Sequence, residues 1–233
     1  MGMDYRNELK YVVSETDLAL LENRLKNLVK PDEHTGADGV YHIRSLYFDD
    51  YYNSCYMENE GGSDPREKFR IRIYDGSAQV IHLELKKKEH SMTQKISCAI
   101  TEEQCRTLME GKPLPVDSSY PPVLQKLCVL MRTKLMKPVV IVEYDRQPFV
   151  SNLGNTRITF DRNIRSSDRL SMFLEDSIPM RPVMEAGRHI LEVKYDEFLP
   201  DYINRNLQLG KLRQTAFSKY YLCRRFSLSG IRC

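Results

Sequence analysis

Residues 67 to 76 read EKFRIRIYDG, with Lys68, Arg70 and Arg72 on one side of a period-2 pattern and Phe69, Ile71 and Ile73 on the other. Successive side chains of a strand point to opposite faces, so this segment reads as a strand with one apolar and one charged side. The same one-sided charge recurs along the chain: Arg6, Glu8 and Lys10 in RNELK, Glu84 and Lys86 in LELKK, Lys95 in TQKISCAI, Arg146 at the end of VVIVEYDR, Arg157, Thr159 and Asp161 in TRITFD, and Glu192 and Lys194 in LEVKY. Such a chain has to bury the apolar side of strand after strand and find surroundings for as many charged sides.

Eight strands are predicted, at 4–13, 41–50, 67–75, 79–88, 93–100, 138–147, 155–161 and 188–195. Asp75-Gly76 and the stretch 152–155 (NLGN) supply turn chemistry for antiparallel hairpins. Five segments read as helices. The first, 14–30, has Ser14 as N-cap with Asp17 three positions on, and Leu18, Leu21, Leu25 and Leu28 on one face. The second, 101–111, has Thr101 as N-cap and Gly111 as a stop, and the third, 120–135, starts from a proline pair. The last two are 196–209 and 214–226. The stretches 31–39 and 59–66 read as loops. No repeat, low-complexity tract or linker divides the chain, so one domain over 1–233 is expected.

Composition narrows the function classes. With 41% hydrophobic and 29% charged residues in 233, this is an ordinary globular chain with material for a sizeable core. A net charge of +3 does not by itself call for nucleic acid or an anionic membrane. No stretch approaches the roughly 20 apolar residues of a membrane span, and the charged opening MGMDYRNELKY has no apolar signal region. Cysteines at 55, 98, 105, 128, 223 and 233 form no CxxC pair and have no zinc-ligand spacing, as expected of reduced packing residues in a cytoplasmic protein.

Two arrangements accommodate these strands: an open sheet with its charged side in water, or a closed eight-stranded barrel with helices outside and charges lining the lumen. Residue types bear on the choice, because arginine-rich and Glu-x-Lys pairs return in strand after strand. On the shared face stand ten cations (Arg6, Lys10, Arg70, Arg72, Lys86, Lys95, Arg146, Arg157, Lys194, Lys219) and four anions (Glu8, Glu84, Asp161, Glu192). Enclosing that excess without a ligand is costly, and a polyanion would offset the cost. Arginine forks grip phosphate oxygens in pairs, and lysines act as point charges. Carboxylates among them suit a divalent cation bridging to phosphate. The pattern points to a phosphate chain with a metal.

In order and spacing, RNELKY, SLYFD, KFRIRIY, LELKK, the EYDRQPF and TRITFD pair, LEVKY and FSKYY resemble the VTC domain. This is the catalytic domain of the vacuolar transporter chaperone complex, in the triphosphate tunnel metalloenzyme superfamily. The resemblance runs from about residue 4 to 226. It implies an α+β fold, an eight-stranded antiparallel β-barrel with amphipathic helices outside, and an enzyme that makes inorganic polyphosphate from ATP. It implies phosphate-binding, catalytic roles for Lys10, Arg70, Arg72, Lys86, Lys95, Arg146, Arg157 and Lys219. It also implies a metal role for Glu192 with Mn²⁺ or Mg²⁺, and for Glu8 either a metal role or pairing with a neighbouring base. Arg6, Glu84, Asp161 and Lys194 read as secondary tunnel residues, internal ion pairs that orient the binding residues.

The partners it implies are ATP and inorganic polyphosphate or pyrophosphate, not nucleic acid. Arg6 departs from the superfamily's Glu-x-Glu-x-Lys opening, as in the polymerase branch. Eukaryotic members add an SPX domain before this domain and membrane spans after it. This chain shows neither, so the resemblance does not extend to coupling with transport, and a separate membrane partner is left open. Two alternatives remain open: a hydrolase of triphosphate or short polyphosphate in the same tunnel, and a non-catalytic binder of polyphosphate or nucleotide.

Overall fold

The alternating segments form strands. A computed structural model describes residues 6–32, 35, 36, 38–90 and 92–229. In chain order the strands are β1 (Asn7–Ser14), β2 (Lys30–Pro31), β3 (Tyr41–Asp49), β4 (Arg66–Tyr74), β5 (Ser77–Glu89), β6 (Met92–Ile100), β7 (Lys137–Ser151), β8 (Thr156–Ser167), β9 (Arg181–Pro182) and β10 (Arg188–Tyr195). The helices are α1 (Glu15–Leu25), α2 (Ser54–Glu60), α3 (Glu102–Met109), α4 (Pro122–Thr133), α5 (Asp201–Leu207) and α6 (Lys219–Ser229). Expectations for residues 4 and 5 of the first strand, for 33, 34 and 37 of the first loop and for Cys233 lie outside the described residues.

The eight long strands form an antiparallel sheet in the order β1-β10-β8-β7-β3-β4-β5-β6, with β2 on β7 and β9 on β8. The α+β class with eight long antiparallel strands and packed helices is the one expected. Among the described residues no helix is long and apolar enough to cross a membrane.

The chain divides into two compact units, and β7 and β8 contribute to both. Unit 1 comprises Met1–His42, Tyr144–Ile164 and Met184–Phe217. Its core takes the apolar sides of β1, β10 and β8 (Tyr11, Val13, Leu191, Val193, Ile158, Phe160). Leu18, Leu21 and Leu25 of α1 and Ile203 and Leu207 of α5 pack against them. Each such side chain contributes about 1.5–3 kcal/mol by leaving water. α1 starts where Ser14 Oγ accepts from Asp17 N at 3.1 Å while Ser14 N donates to Asp17 Oδ2 at 2.8 Å, a reciprocal cap.

Unit 2 comprises Ile43–Glu143, Arg165–Val183 and Ser218–Cys233. Leu46 and Phe48 of β3, Phe69, Ile71 and Ile73 of β4 and Leu83 and Leu85 of β5 pack against Cys105 and Leu108 of α3 and Leu124, Leu127 and Met131 of α4. Thr101 caps α3 as predicted, and the Gln104 side chain accepts in return from the Thr101 N–H. Asp75 (φ 51°) and Gly76 (φ 69°) are both left-handed, the geometry that a two-residue hairpin turn with this dipeptide requires. The thiols behave as packing groups. Burial pushes Cys105 and Cys223 each up to about 12.

Several boundaries differ from the sequence reading. The helix expected over 14–30 stops at Leu25, because Lys30 and Pro31 pair with Val150 and Phe149 of β7. The helix expected over 196–209 begins only after Pro200, since a residue before proline is pushed out of helical conformation. The last helix begins at Lys219 rather than 214, because Gln214 bridges to Tyr11 and Thr215 N donates to Lys10 O at 2.9 Å.

Gly154 in the β7–β8 turn has φ +62°, and an added Cβ would stand 2.3 Å from Phe198 O. Gly154→Ala should therefore lower stability by about 1–3 kcal/mol, read as a lower urea midpoint at unchanged slope. Gly76→Ala, with φ +69° and nothing within 4 Å of the new carbon, should cost about 1 kcal/mol.

Candidate phosphate-binding site

In unit 2 the charged side of β4 and β5 is organised around one carboxylate. Glu84 is 1% exposed and stands opposite Arg70 in β4 and Ser97 in β6. Arg70 Nε donates to Glu84 Oε2 at 2.6 Å, Lys95 Nζ to Glu84 Oε1 at 3.2 Å, and Arg72 Nη1 lies 3.7 Å from Oε2. Burial alone would raise the carboxyl's pKa, but Arg70, Arg72 and Lys95 outweigh it and hold Glu84 well below the usual carboxylate range. β3 steadies both forks. Arg70 Nη1 donates to Tyr47 Oη at 2.9 Å and Arg72 Nε to Ser45 Oγ at 3.2 Å. The pairing Lys68–Lys86–Lys95 places the predicted Lys86 and Lys95 in one cross-strand row. Lys219 opens α6, whose next residue, Tyr220, is buried with its hydroxyl donating to Asp49.

Unit 1 gathers the other predicted residues. Arg146 meets Asp161 through two bonds, Nε to Oδ1 at 2.6 Å and Nη2 to Oδ2 at 2.7 Å, with Asp161 fully buried. Burial opposes the guanidinium charge, yet Asp161, with Tyr144 and Glu192, keeps Arg146 protonated well above its ordinary range. Arg146 Nη2 is 3.6 Å from Glu192 Oε2, and Lys194 Nζ is 2.7 Å from Glu192 Oε1 and 3.7 Å from Glu8 Oε1. Lys10 Nζ lies 3.5 Å from Glu8 Oε1 and donates to Phe217 O at 3.2 Å. Arg157 pairs with Asp32 at 2.7 Å and donates to Tyr41 Oη at 2.8 Å, and the equally exposed Arg6 pairs with Asp196 at 3.2 Å.

Among the described residues no three His, Cys, Asp or Glu side chains could hold a metal by themselves. Glu192 and Glu8 are nevertheless hard-oxygen donors joined through Lys194, and Thr159, opposite Glu192 in β8, has a buried hydroxyl with no hydrogen-bond partner. Mg²⁺-like ions take one or two carboxylates and complete their shell with phosphates and water. The donor set fits such an ion.

Sequence reasoning grouped side chains by strand face but left out several partners. Asp32 fell in a segment read as a loop, yet it is buried against Arg157. Asp49, the last residue of SLYFD, accepts from the backbone N–H of Cys55 and Tyr56 at 2.9 and 3.2 Å as well as from Tyr220. The alternation Ser45-x-Tyr47-x-Asp49 was the available signal for both hydroxyls and the acid. Tyr220 also packs on Tyr47 at 5.3 Å between ring centroids.

Comparison with known proteins places the fold. A protein of Hippeastrum, HpAC1, reported to have a dominant triphosphatase activity, is similar over 96% of this chain and 96% of its own, with TM-score 0.53 and 13% identity. The protein bh2851 of Bacillus halodurans, a candidate adenylate cyclase, is similar over 91% of each chain, with TM-score 0.52 and 14% identity. PH1819 of Pyrococcus horikoshii is similar over 96% of this chain and 99% of its own, with TM-score 0.50 and 14% identity. No curated protein matches in sequence. The model of the VTC domain matches residues 5–227, and the chain belongs to the VTC-domain family.

Proposed function

We propose that the chain is a metal-dependent polyphosphate polymerase, which transfers the γ-phosphoryl group of ATP to the end of an inorganic polyphosphate chain or a pyrophosphate primer. The observation that carries this reading is the convergence of Arg70, Arg72 and Lys95 on the single buried carboxylate of Glu84. Three cations held by adjacent strands around one carboxylate keep their N–H donors in a fixed geometry, which suits the phosphates of a polyphosphate. Membership of the VTC-domain family supports the choice of polyphosphate as product.

In this reading Arg70, Arg72, Lys86 and Lys95 bind phosphates and stabilise charge on the transferring group, and Lys10, Arg146, Arg157 and Lys219 supply further cationic contacts. Glu84, Asp161, Lys194 and Arg6 orient those side chains through ion pairs. Glu192 and Glu8 hold Mn²⁺ or Mg²⁺, which when bound would neutralise phosphate charge. No protein nucleophile is needed, because an oxygen at the chain end attacks the γ-phosphorus and ADP leaves.

Purified protein given ATP, Mn²⁺ and pyrophosphate should release ADP and build polymer resolvable on a gel. Arg70→Ala should lower kcat/KM by about 10²-fold. Orthophosphate without polymer would support the second reading, a triphosphate hydrolase, which the fold shared with HpAC1 favours. Tight binding with no turnover would reduce the chain to a binding protein.

A further inference from the structure

We propose that Lys68 is a further phosphate-binding residue, and that the row Lys68–Lys86–Lys95 takes phosphates of a linear polyphosphate chain beyond those met by Arg70 and Arg72; this rests on the phosphate-binding reading above. The three lysines stand directly opposite one another across β4, β5 and β6. Side chains so placed share one face with Cβ atoms about 5 Å apart, and like charges there repel. Two residues along, the next row is Arg70–Glu84–Ser97, with an acid of its own, and beyond it lies Ser45–Arg72–His82. The first row is three lysines, and its Lys95 also reaches Glu84 of the second at 3.2 Å.

Lys68 is steered rather than left to swing into solvent. Its Nζ donates to Ser218 Oγ at 3.3 Å and lies 5.4 Å from the centre of the Tyr220 ring. That ring is itself fixed, since Tyr220 is 2% exposed and its hydroxyl donates to the fully buried Asp49. Lys68 thus adds a positioned ammonium donor to a row that already has two, and three such donors on one face suit an anion. Strand rise sets the scale: from the Arg72 row to the Lys68 row is four residues, about 13 Å, a track suited to several linked phosphates rather than one. The two ends also differ in kind. Guanidinium forks fix the orientation of a phosphate, whereas ammonium point charges hold it without fixing it, which suits a chain that advances as it grows.

The test is calorimetric titration of the full chain and of Lys68→Met and Lys68→Arg with pyrophosphate, ATP and long-chain polyphosphate, with melting temperatures as a folding control. Lys68→Met should weaken long-chain binding about tenfold and lower the slope of log affinity against log salt by about one. It should change pyrophosphate and ATP binding less than twofold, and Lys68→Arg should stay near wild type. Unchanged long-chain binding in Lys68→Met overturns the inference while leaving the phosphate-binding reading intact. An equal loss for pyrophosphate or ATP also overturns it, by placing Lys68 with the arginine rows. A wild-type protein that binds none of the three overturns both.

Discussion

Glu84→Gln is expected to cost about 3–5 kcal/mol of stability, the penalty for breaking a buried ion pair by removing one partner, and to reduce kcat about 10²-fold without raising KM. Glu84 pairs with Arg70 and Arg72 and also holds Lys95, so its loss unbalances three cations together. The added net positive charge keeps attraction for a polyanion high, and the damage falls on orientation. The pH dependence has a definite sign. A carboxyl held below its ordinary value stabilises the fold above the unfolded pKa of about 4.3, and the contribution is lost as pH falls toward the lower folded value. The difference in urea midpoint between wild type and Glu84→Gln should be flat from pH 6 to 8 and shrink below about pH 4. A difference that persists undiminished in acid would sink the assignment of Glu84 as the charged hub.

Arg146→Ala should be as severe. It leaves the carboxylate of Asp161, at 0% exposure, without the two guanidinium bonds that hold it, again a loss of about 3–5 kcal/mol. The companion double variant, Arg146→Met with Asp161→Leu, removes the charge together with its partner and should recover most of that stability. Turnover then separates two roles. If Arg146 touches phosphate, the refolded double variant stays inactive; if it only orients its neighbours, activity returns along with the melting temperature. Failure of the double variant to regain stability would mean that the pair is not the cause of the loss.

The strands were legible because alternation is a local property, written every two residues and reinforced by turns such as Asp75-Gly76. Helix ends were less so. Where α1 stops depends on β7, more than a hundred residues away, and the delayed start of α6 depends on a bridge from Gln214 to Tyr11. α2 went unrecognised because its seven residues, SCYMENE, have no apolar period. Its first turn is held instead by side chains that precede it, with Asp49 accepting from Cys55 N and Asp50 from Ser54 N. The candidate site divides the same way. Which side chains share a face followed from spacing, but which cation meets which acid did not. Glu84 read as one ion-pairing residue among several and turns out to gather three cations, and Asp32 read as loop and is the partner of Arg157.

β3 carries a consequence for how such a chain can vary. Its alternate residues Ser45, Tyr47 and Asp49 tether Arg72, Arg70 and Tyr220, while Leu46 and Phe48 between them belong to the core. A substitution at Ser45 or Tyr47 removes one tether of one arginine, and a substitution at Asp49 frees Tyr220 together with the N–H groups of Cys55 and Tyr56. A single-residue insertion or deletion within the strand would exchange its two faces, releasing all three groups and driving Leu46 and Phe48 out of the core at once. Lineages of this chain should therefore change length freely in the loop before β3, and hardly at all between Ile43 and Asp49.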